Sequence, residues 1–298
     1  MSPRADLGAV EIEYETFGSA TDPTIVLISG FGAQMISWAD GLCRRLASSG
    51  RHVVRFDNRD CGLSTRLDDH PVDSKAVLAA ASAGDRDIVR SLAPYTLCDM
   101  ADDVGRLLDA LDVREAHIVG ASMGGMIAQL FAIRCPDRVA TLTSIMSTTG
   151  ESKFGRSTPE ASAAPLSPAP REKAAYIEST VESARIWSSR KHFDANAAAA
   201  LAAASFERGL SPAGVSRQYA ALLATEPRAD ELRELDVPTL VIHGLDDTLI
   251  APSGGTRTAE LIKGSRLLLV PDMGHDRPEP LWPLLCDAII EHTGPLSR

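Results

Sequence analysis

Gly120-Ala121-Ser122-Met123-Gly124 stands between an apolar run (Ala116, Ile118, Val119) and a stretch of helical character (Met126, Ile127, Leu130, Phe131). No other feature constrains the chain as much, because a strand that passes at once into a helix around a serine suits few folds. A serine hydroxyl is a poor nucleophile until a base takes its proton. A sharp turn holds it exposed, where a base can reach it and backbone amides can face a developing oxyanion. Glycines on both sides leave room for that turn. The segment therefore reads as a strand-to-helix elbow and points to covalent acyl chemistry.

Around the elbow, short β-rich runs alternate with helical periodicity. Thr24 to Ser29, His52 to Phe56, Ala116 to Gly120, Val139 to Met146, Pro238 to Ile242 and Arg266 to Val270 are dense in Val, Ile and Leu on both faces. Buried parallel strands have that composition. Between them Leu97, Ala101, Val104, Leu108 and Leu111 recur at three-to-four spacing, which predicts a helix. Further helices are predicted after Trp38 and over Met126 to Arg134, Gly255 to Ile262 and Leu284 to His292. This alternation predicts an α/β fold with a mostly parallel central sheet flanked by helices, binding ligands outside the carboxyl ends of its strands. Val10 to Phe17 alternates polar and apolar residues and is placed at an antiparallel edge.

The alternation breaks between about Gly150 and Leu235. Gly155 to Pro170 is rich in Ser and Ala, carries prolines at 159, 165, 168 and 170, and reads as an irregular connection. Alanine-rich helical stretches follow around Arg171 to Ser188, Asn196 to Arg208 and Ala213 to Ala224. The expected organisation is a core over residues 1–149 and 236–298, with an inserted helical cap over 150–235. The prolines offer a hinge; a packed helical subdomain without a gating role fits the same residues. A second insertion, of unassigned structure, lies between Leu67 and Pro94.

The chain has 298 residues, 44% of them hydrophobic and 23% charged, as in ordered globular proteins. A net charge of -10 without a Lys/Arg cluster argues against nucleic acid and anionic membrane surfaces as partners. The amino terminus lacks the pattern of a secretory signal, and no apolar stretch has the length of a membrane span, so a cytoplasmic location is expected. Cys43, Cys61, Cys98, Cys135 and Cys286 are scattered without metal-ligand spacing; they read as small apolar residues, and neither a metal site nor a cofactor is expected.

A nucleophilic serine needs a base, and the base needs an orienting acid. Val241-Ile242-His243-Gly244 ends a strand and is followed by Asp246 and Asp247. Leu267 to Val270 is followed by Pro271-Asp272-Met273-Gly274-His275, which puts a histidine on the next such loop. His117 and His243 fall inside strands, and His52, His70, His192 and His292 lack a comparable setting. Ser122 and His275 are thus the candidate nucleophile and base. Asp246 and Asp247 adjoin and face opposite ways in an extended segment, which leaves the acid open between them.

Taken together, these segments resemble the α/β-hydrolase superfamily along nearly the whole chain outside the cap. Matching pieces are Ser29-Gly30-Phe31-Gly32, the Asp57-Asn58-Arg59-Asp60-Cys61-Gly62-Leu63-Ser64 loop, the elbow and the two late loops. Ala121-Ser122-Met123-Gly124-Gly125-Met126 and Gly274-His275-Asp276 look like bacterial carboxylesterases of the lipase-like and aclacinomycin-methylesterase-like branch. Counting three residues from Gly244, as the resembled pattern does, selects Asp247. The resemblance further implies an oxyanion hole from the backbone N–H groups of Phe31 and Met123. Two departures stand out: Ser29-Gly30 where relatives commonly carry His-Gly, and Asp60 where they carry glycine in Asp-x-Arg-Gly. The first keeps the amide and changes the side chain behind it; the second is read as structural.

The implied activity is hydrolysis of a small-molecule hydrophobic carboxylic ester, with an apolar entrance drawn from Phe31, Met35, Trp38, Met123 and Met126, some of which must be core. Carbon–carbon bond hydrolases and perhydrolases run on the same three residues, and a slow-turnover small-molecule receptor is a third, non-enzymatic reading. Epoxide hydrolases and dehalogenases carry aspartate where Ser122 stands. The sequence leaves the oligomeric state open.

Overall fold

The computed structural model describes residues 2–163 and 170–294. Its strands are β1 (Arg4–Asp6), β2 (Glu11–Phe17), β3 (Thr24–Ile28), β4 (His52–Phe56), β5 (Ala116–Ala121), β6 (Val139–Ile145), β7 (Thr239–Gly244) and β8 (Arg266–Val270). They form one sheet in the order β1-β2-β4-β3-β5-β6-β7-β8, parallel from β4 to β8, with β2 antiparallel to both β1 and β4. Every residue of β3, β4, β5 and β7 is buried. Alternate side chains serve two cores: Val26 and Ile28 point to one, Ile25 and Leu27 to the other. The first is closed by α4 (Leu97–Ala110) and α5 (Met123–Arg134), the second by α1 (Asp40–Ala47) and α12 (Trp282–His292).

Three expectations are corrected. The antiparallel edge is β1, too short to carry an alternation signal, and β2 lies one strand inward. The β8 run is not covered on both sides: it forms the far edge, leaving Leu267 and Leu269 38% and 37% exposed. The Gly155–Pro170 segment is not wholly irregular, since Pro159 opens the short helix α6 (Pro159–Ala163); Pro165 and Pro168 lie outside the described residues.

Between β6 and β7 the described chain is helical: α6, α7 (Lys173–Trp187), α8 (Ala195–Arg208), α9 (Pro212–Ala224) and α10 (Ala229–Arg233). The insertion after Leu67 forms α2 (Ser74–Ala83) and α3 (Arg86–Leu92), which pack Val77, Ala80 and Val89 against Ala220 and Ala224 of α9. Among the described residues no helix is long and apolar enough to cross a membrane.

Candidate active site

Ser122 joins β5 to α5 with φ 56° and ψ -123°, a conformation that L-residues rarely adopt. Its N–H donates to the Ile145 carbonyl at 2.9 Å, and its own carbonyl accepts from the Ser147 hydroxyl at 2.8 Å. The flanking glycines are steric necessities. A Cβ on Gly120 would strike the Gly124 carbonyl, one on Gly124 the Ile28 carbonyl, and one on Gly125 would lie 2.6 Å from Ser147 Cβ. The elbow is thus pinned between β3 and β6, with the serine at its apex.

Two loops bring polar side chains to that apex. His275, on the loop after β8, places Nε2 2.9 Å from Ser122 Oγ and Nδ1 2.7 Å from Asp247 Oδ2, on the loop after β7. Ionised carboxylate only accepts, so Nδ1 carries the hydrogen and bare Nε2 accepts from the serine hydroxyl. Asp247 Oδ1 accepts from the N–H groups of Leu249 and Ile250 at 2.9 and 2.8 Å. Burial raises the Asp247 carboxyl, but the charge of His275 and hydrogen bonds from His243 and His275 overcome it and hold the group at about 2. Asp246 instead donates its backbone N–H to the Met273 carbonyl; the structure brings Asp247, not its neighbour, to the imidazole.

His243, passed over as a strand residue, lies behind the acid. Its Nε2 is 2.8 Å from the Ile250 carbonyl and 3.4 Å from Asp247 Oδ2, while Nδ1 faces Gly255 without a partner among the described residues. A bare Nδ1 and a protonated Nε2 satisfy that setting best, so His243 supports the Asp247 loop as a neutral donor. Its four-residue separation from Asp247 was the available sequence signal.

The two loops are locked to each other and to the end of α7. Gly244 packs on the Met273 backbone and Gly274 on the Trp187–Ser189 backbone, both too closely for a side chain. The N–H of His275 donates to the Trp187 carbonyl at 2.6 Å, Ser189 N–H to Asp276 at 3.0 Å, and the Thr248 hydroxyl to the Ile186 carbonyl at 2.9 Å.

On the other side, Gly30 lies against the serine: a Cβ there would sit 3.2 Å from Ser122 Cβ and 3.6 Å from Oγ. Phe31 follows it, and among the described residues neither the N–H of Phe31 nor that of Met123 has an acceptor. The expected apolar entrance narrows to one residue, and the core share is larger than the sequence indicated. Met35, Trp38 and Met123 are fully buried and Met126 nearly so; Met123 and Met126 belong to one core cluster and Trp38 to the other. Phe31 alone remains half-buried, its ring 6.1 Å from that of Tyr219 on α9.

The unusual Asp57-Asn58-Arg59-Asp60 loop is a structural hub. Asp57 accepts from Met35 N–H at 2.7 Å and pairs with Arg208 of α8 at 2.5 Å; Arg59 pairs with Asp103 at 2.6 Å. Asp60 has φ 66°, a left-handed position that glycine fills most easily and aspartate tolerates. Its carboxylate takes the Tyr95 hydroxyl and the Arg217 guanidinium. Ser29, in the place of histidine, is fully buried; its hydroxyl donates to the Gln34 carbonyl at 3.5 Å and accepts from the Ser37 hydroxyl at 3.4 Å. Among the described residues no group of three or more His, Cys, Asp or Glu is arranged to hold a metal ion.

A serine hydroxyl bonded to a carboxylate-held imidazole can lose its proton as it attacks an electrophilic carbon. Residues 23–277 match the family described as alpha/beta hydrolase fold. Rhodomycin D methylesterase DauP of Streptomyces sp. strain C5 is 28% identical over 307 aligned residues, covering 94% of this chain and 93% of that protein. Among solved structures, the enol-lactonase from Burkholderia xenovorans LB400 superposes with a TM-score of 0.75 at 20% identity, over 97% of this chain and 99% of that one. The meta-cleavage product hydrolase CumD of Pseudomonas fluorescens IP01 gives 0.76 at 20% identity, over 98% and 97%. At such identity these two structures speak to the fold alone.

Proposed function

We propose that this chain, which belongs to the alpha/beta hydrolase fold family, is a serine carboxylic-ester hydrolase acting on a hydrophobic ester. The observation that carries this reading is the continuous hydrogen-bonded path from Asp247 through His275 to Ser122 on its strained elbow. In the proposed reaction His275 Nε2 takes the Ser122 proton as Oγ attacks the ester carbonyl, and Asp247 holds the tautomer and stabilises the imidazolium. The N–H groups of Phe31 and Met123 receive the tetrahedral oxyanion; loss of one such donor typically costs about 2.7–4 kcal/mol of transition-state stabilisation. His275 then protonates the departing alcohol, and water hydrolyses the acyl-enzyme by the reverse sequence of proton transfers. The reaction as derived draws on no metal or organic cofactor.

Residues 150–235 act as the cap over this site, and residues 1–149 and 236–298 form the core. The relative named as a methylesterase supports an ester rather than a carbon–carbon bond as substrate. The test is a panel of esters varied in acyl and alcohol size, run beside a carbon–carbon bond hydrolase substrate, with wild type and Ser122→Ala. Ester turnover that falls by several orders of magnitude in Ser122→Ala supports the reading. Near-native ester hydrolysis by that variant, or turnover confined to the carbon–carbon substrate, overturns it.

A further inference from the structure

The loop that carries Phe31 is held from above by the cap. Gln218, on α9 and 1% exposed, accepts the Gly32 N–H on Oε1 at 2.9 Å and donates from Nε2 to the Arg59 carbonyl at 2.9 Å. Gly32 has φ 63°, and a Cβ on it would lie 3.5 Å from Val215 Cγ2 of the same helix. Two residues earlier, Gly30 lies against Ser122. Phe31 therefore sits between a residue that touches the serine and one fastened to the cap.

A second tie lies alongside. Gln34 Nε2 donates to the carbonyls of Ser205 and Gly209 at 2.9 and 3.1 Å, and Gln34 Oε1 accepts from Arg208 Nε at 2.8 Å. Arg208 also pairs with Asp57, which accepts the Met35 N–H. Helix α9 is itself anchored beside Gln218, where Arg217 forms a two-pronged pair with buried Asp60 at 2.9 and 2.7 Å. The middle of α9, which holds Gln218, is thus a fixed support rather than a free lid.

We propose that Gln218 is a positioning residue for the oxyanion site: from the cap, it fixes the Gly30–Gln34 loop so that the Phe31 N–H meets the developing oxyanion. This rests on the assignment of Ser122 as nucleophile and Phe31 as oxyanion donor. From the core, Asn58 Nδ2 holds the Ser29 carbonyl at 3.1 Å and Asp57 holds the Met35 N–H at 2.7 Å, at the two ends of the loop; between them, Gln218 of the cap holds the Gly32 N–H, next to Phe31. The cap contributes to the chemical step as well as to substrate selection.

Gln218→Met removes both hydrogen-bonding groups at nearly constant length, and Gln218→Glu keeps an oxygen opposite Gly32. Burial favours the neutral acid, whose hydroxyl can serve the Arg59 carbonyl as the amide did. With a p-nitrophenyl ester, Gln218→Met lowers kcat by about 10–100-fold with KM within about threefold, as a displaced donor requires. Gln218→Glu recovers most of the lost kcat. Unchanged kcat in Gln218→Met, a loss confined to KM, or a Glu variant as impaired as the Met variant overturns the inference. Should Gln218→Met not fold, Gln218→Asn withdraws the same amide by one methylene and answers the same question. Ser122→Ala, run in parallel, separates the two failures. An inactive Ser122→Ala with a fully active Gln218→Met rejects the role of the cap alone, and an active Ser122→Ala rejects the nucleophile assignment beneath it.

Discussion

Nδ1 of His275 lies 2.7 Å from Oδ2 of Asp247, a residue 28 positions earlier in the chain. Asp247→Asn replaces that acceptor with an amide and lets the imidazole settle into the wrong tautomer. We expect kcat to fall by about 10⁴-fold, with the fold retained. Asp246→Asn leaves the hydrogen-bonded path intact and stays near wild type. Initial ester-hydrolysis rates decide the matter; the opposite ranking moves the acid by one position.

The same carboxylate governs acid stability. Held at about 2 against an unfolded value near 3.9, Asp247 adds stability at pH above about 4 and loses it as the pH falls through about 2. The contribution is about 2 kcal/mol. Urea denaturation followed from pH 5 to pH 2 should show wild type losing stability more steeply than Asp247→Asn. Parallel curves contradict the assigned pairing.

Gly124 packs its α-carbon on the carbonyls of Ile28 and Ser29, which are backbone and yield little. Gly124→Ala is expected to destabilise by about 1–3 kcal/mol. Because that backbone leads into the Phe31 loop, kcat falls as well. Thermal unfolding and initial rates check both effects; an unaltered melting temperature contradicts the steric account.

Arg217→Met removes the cationic partner of Asp60, which is buried and also bound by Tyr95. The loss is expected at about 3–5 kcal/mol, and adding Asp60→Asn should restore part of it. Chemical denaturation of the single and double variants measures the coupling. Strictly additive losses contradict a paired role.

Local patterns made much of this molecule legible. His52–Phe56 and Arg266–Val270 emerge as strands with the expected ends because dense β-branched and aliphatic runs sit between polar turns. Ser122 and His275 were readable because elbow and loop each follow a strand. Asp246 and Asp247 were separable only through the resemblance; in three dimensions Asp247 turns Oδ2 to the imidazole while its Oδ1 closes the turn to Leu249 and Ile250. Three-residue β1 and five-residue α6 are too short to show a period. Met35 and Trp38 looked like an entrance because hydrophobicity does not say which layer a side chain fills. Gln218 was invisible for a different reason. Its partners Arg59 and Gly32 lie 159 and 186 residues away, and no local pattern encodes an amide that spans that distance.

In the proposed reaction Ser122 forms the covalent bond to the substrate acyl group. Mass spectrometry of protein treated with a serine-directed phosphonate tests it most directly. One adduct is expected, located by peptide mapping on Ser122 and absent from Ser122→Ala. An adduct on another residue, or equal labelling of Ser122→Ala, contradicts it.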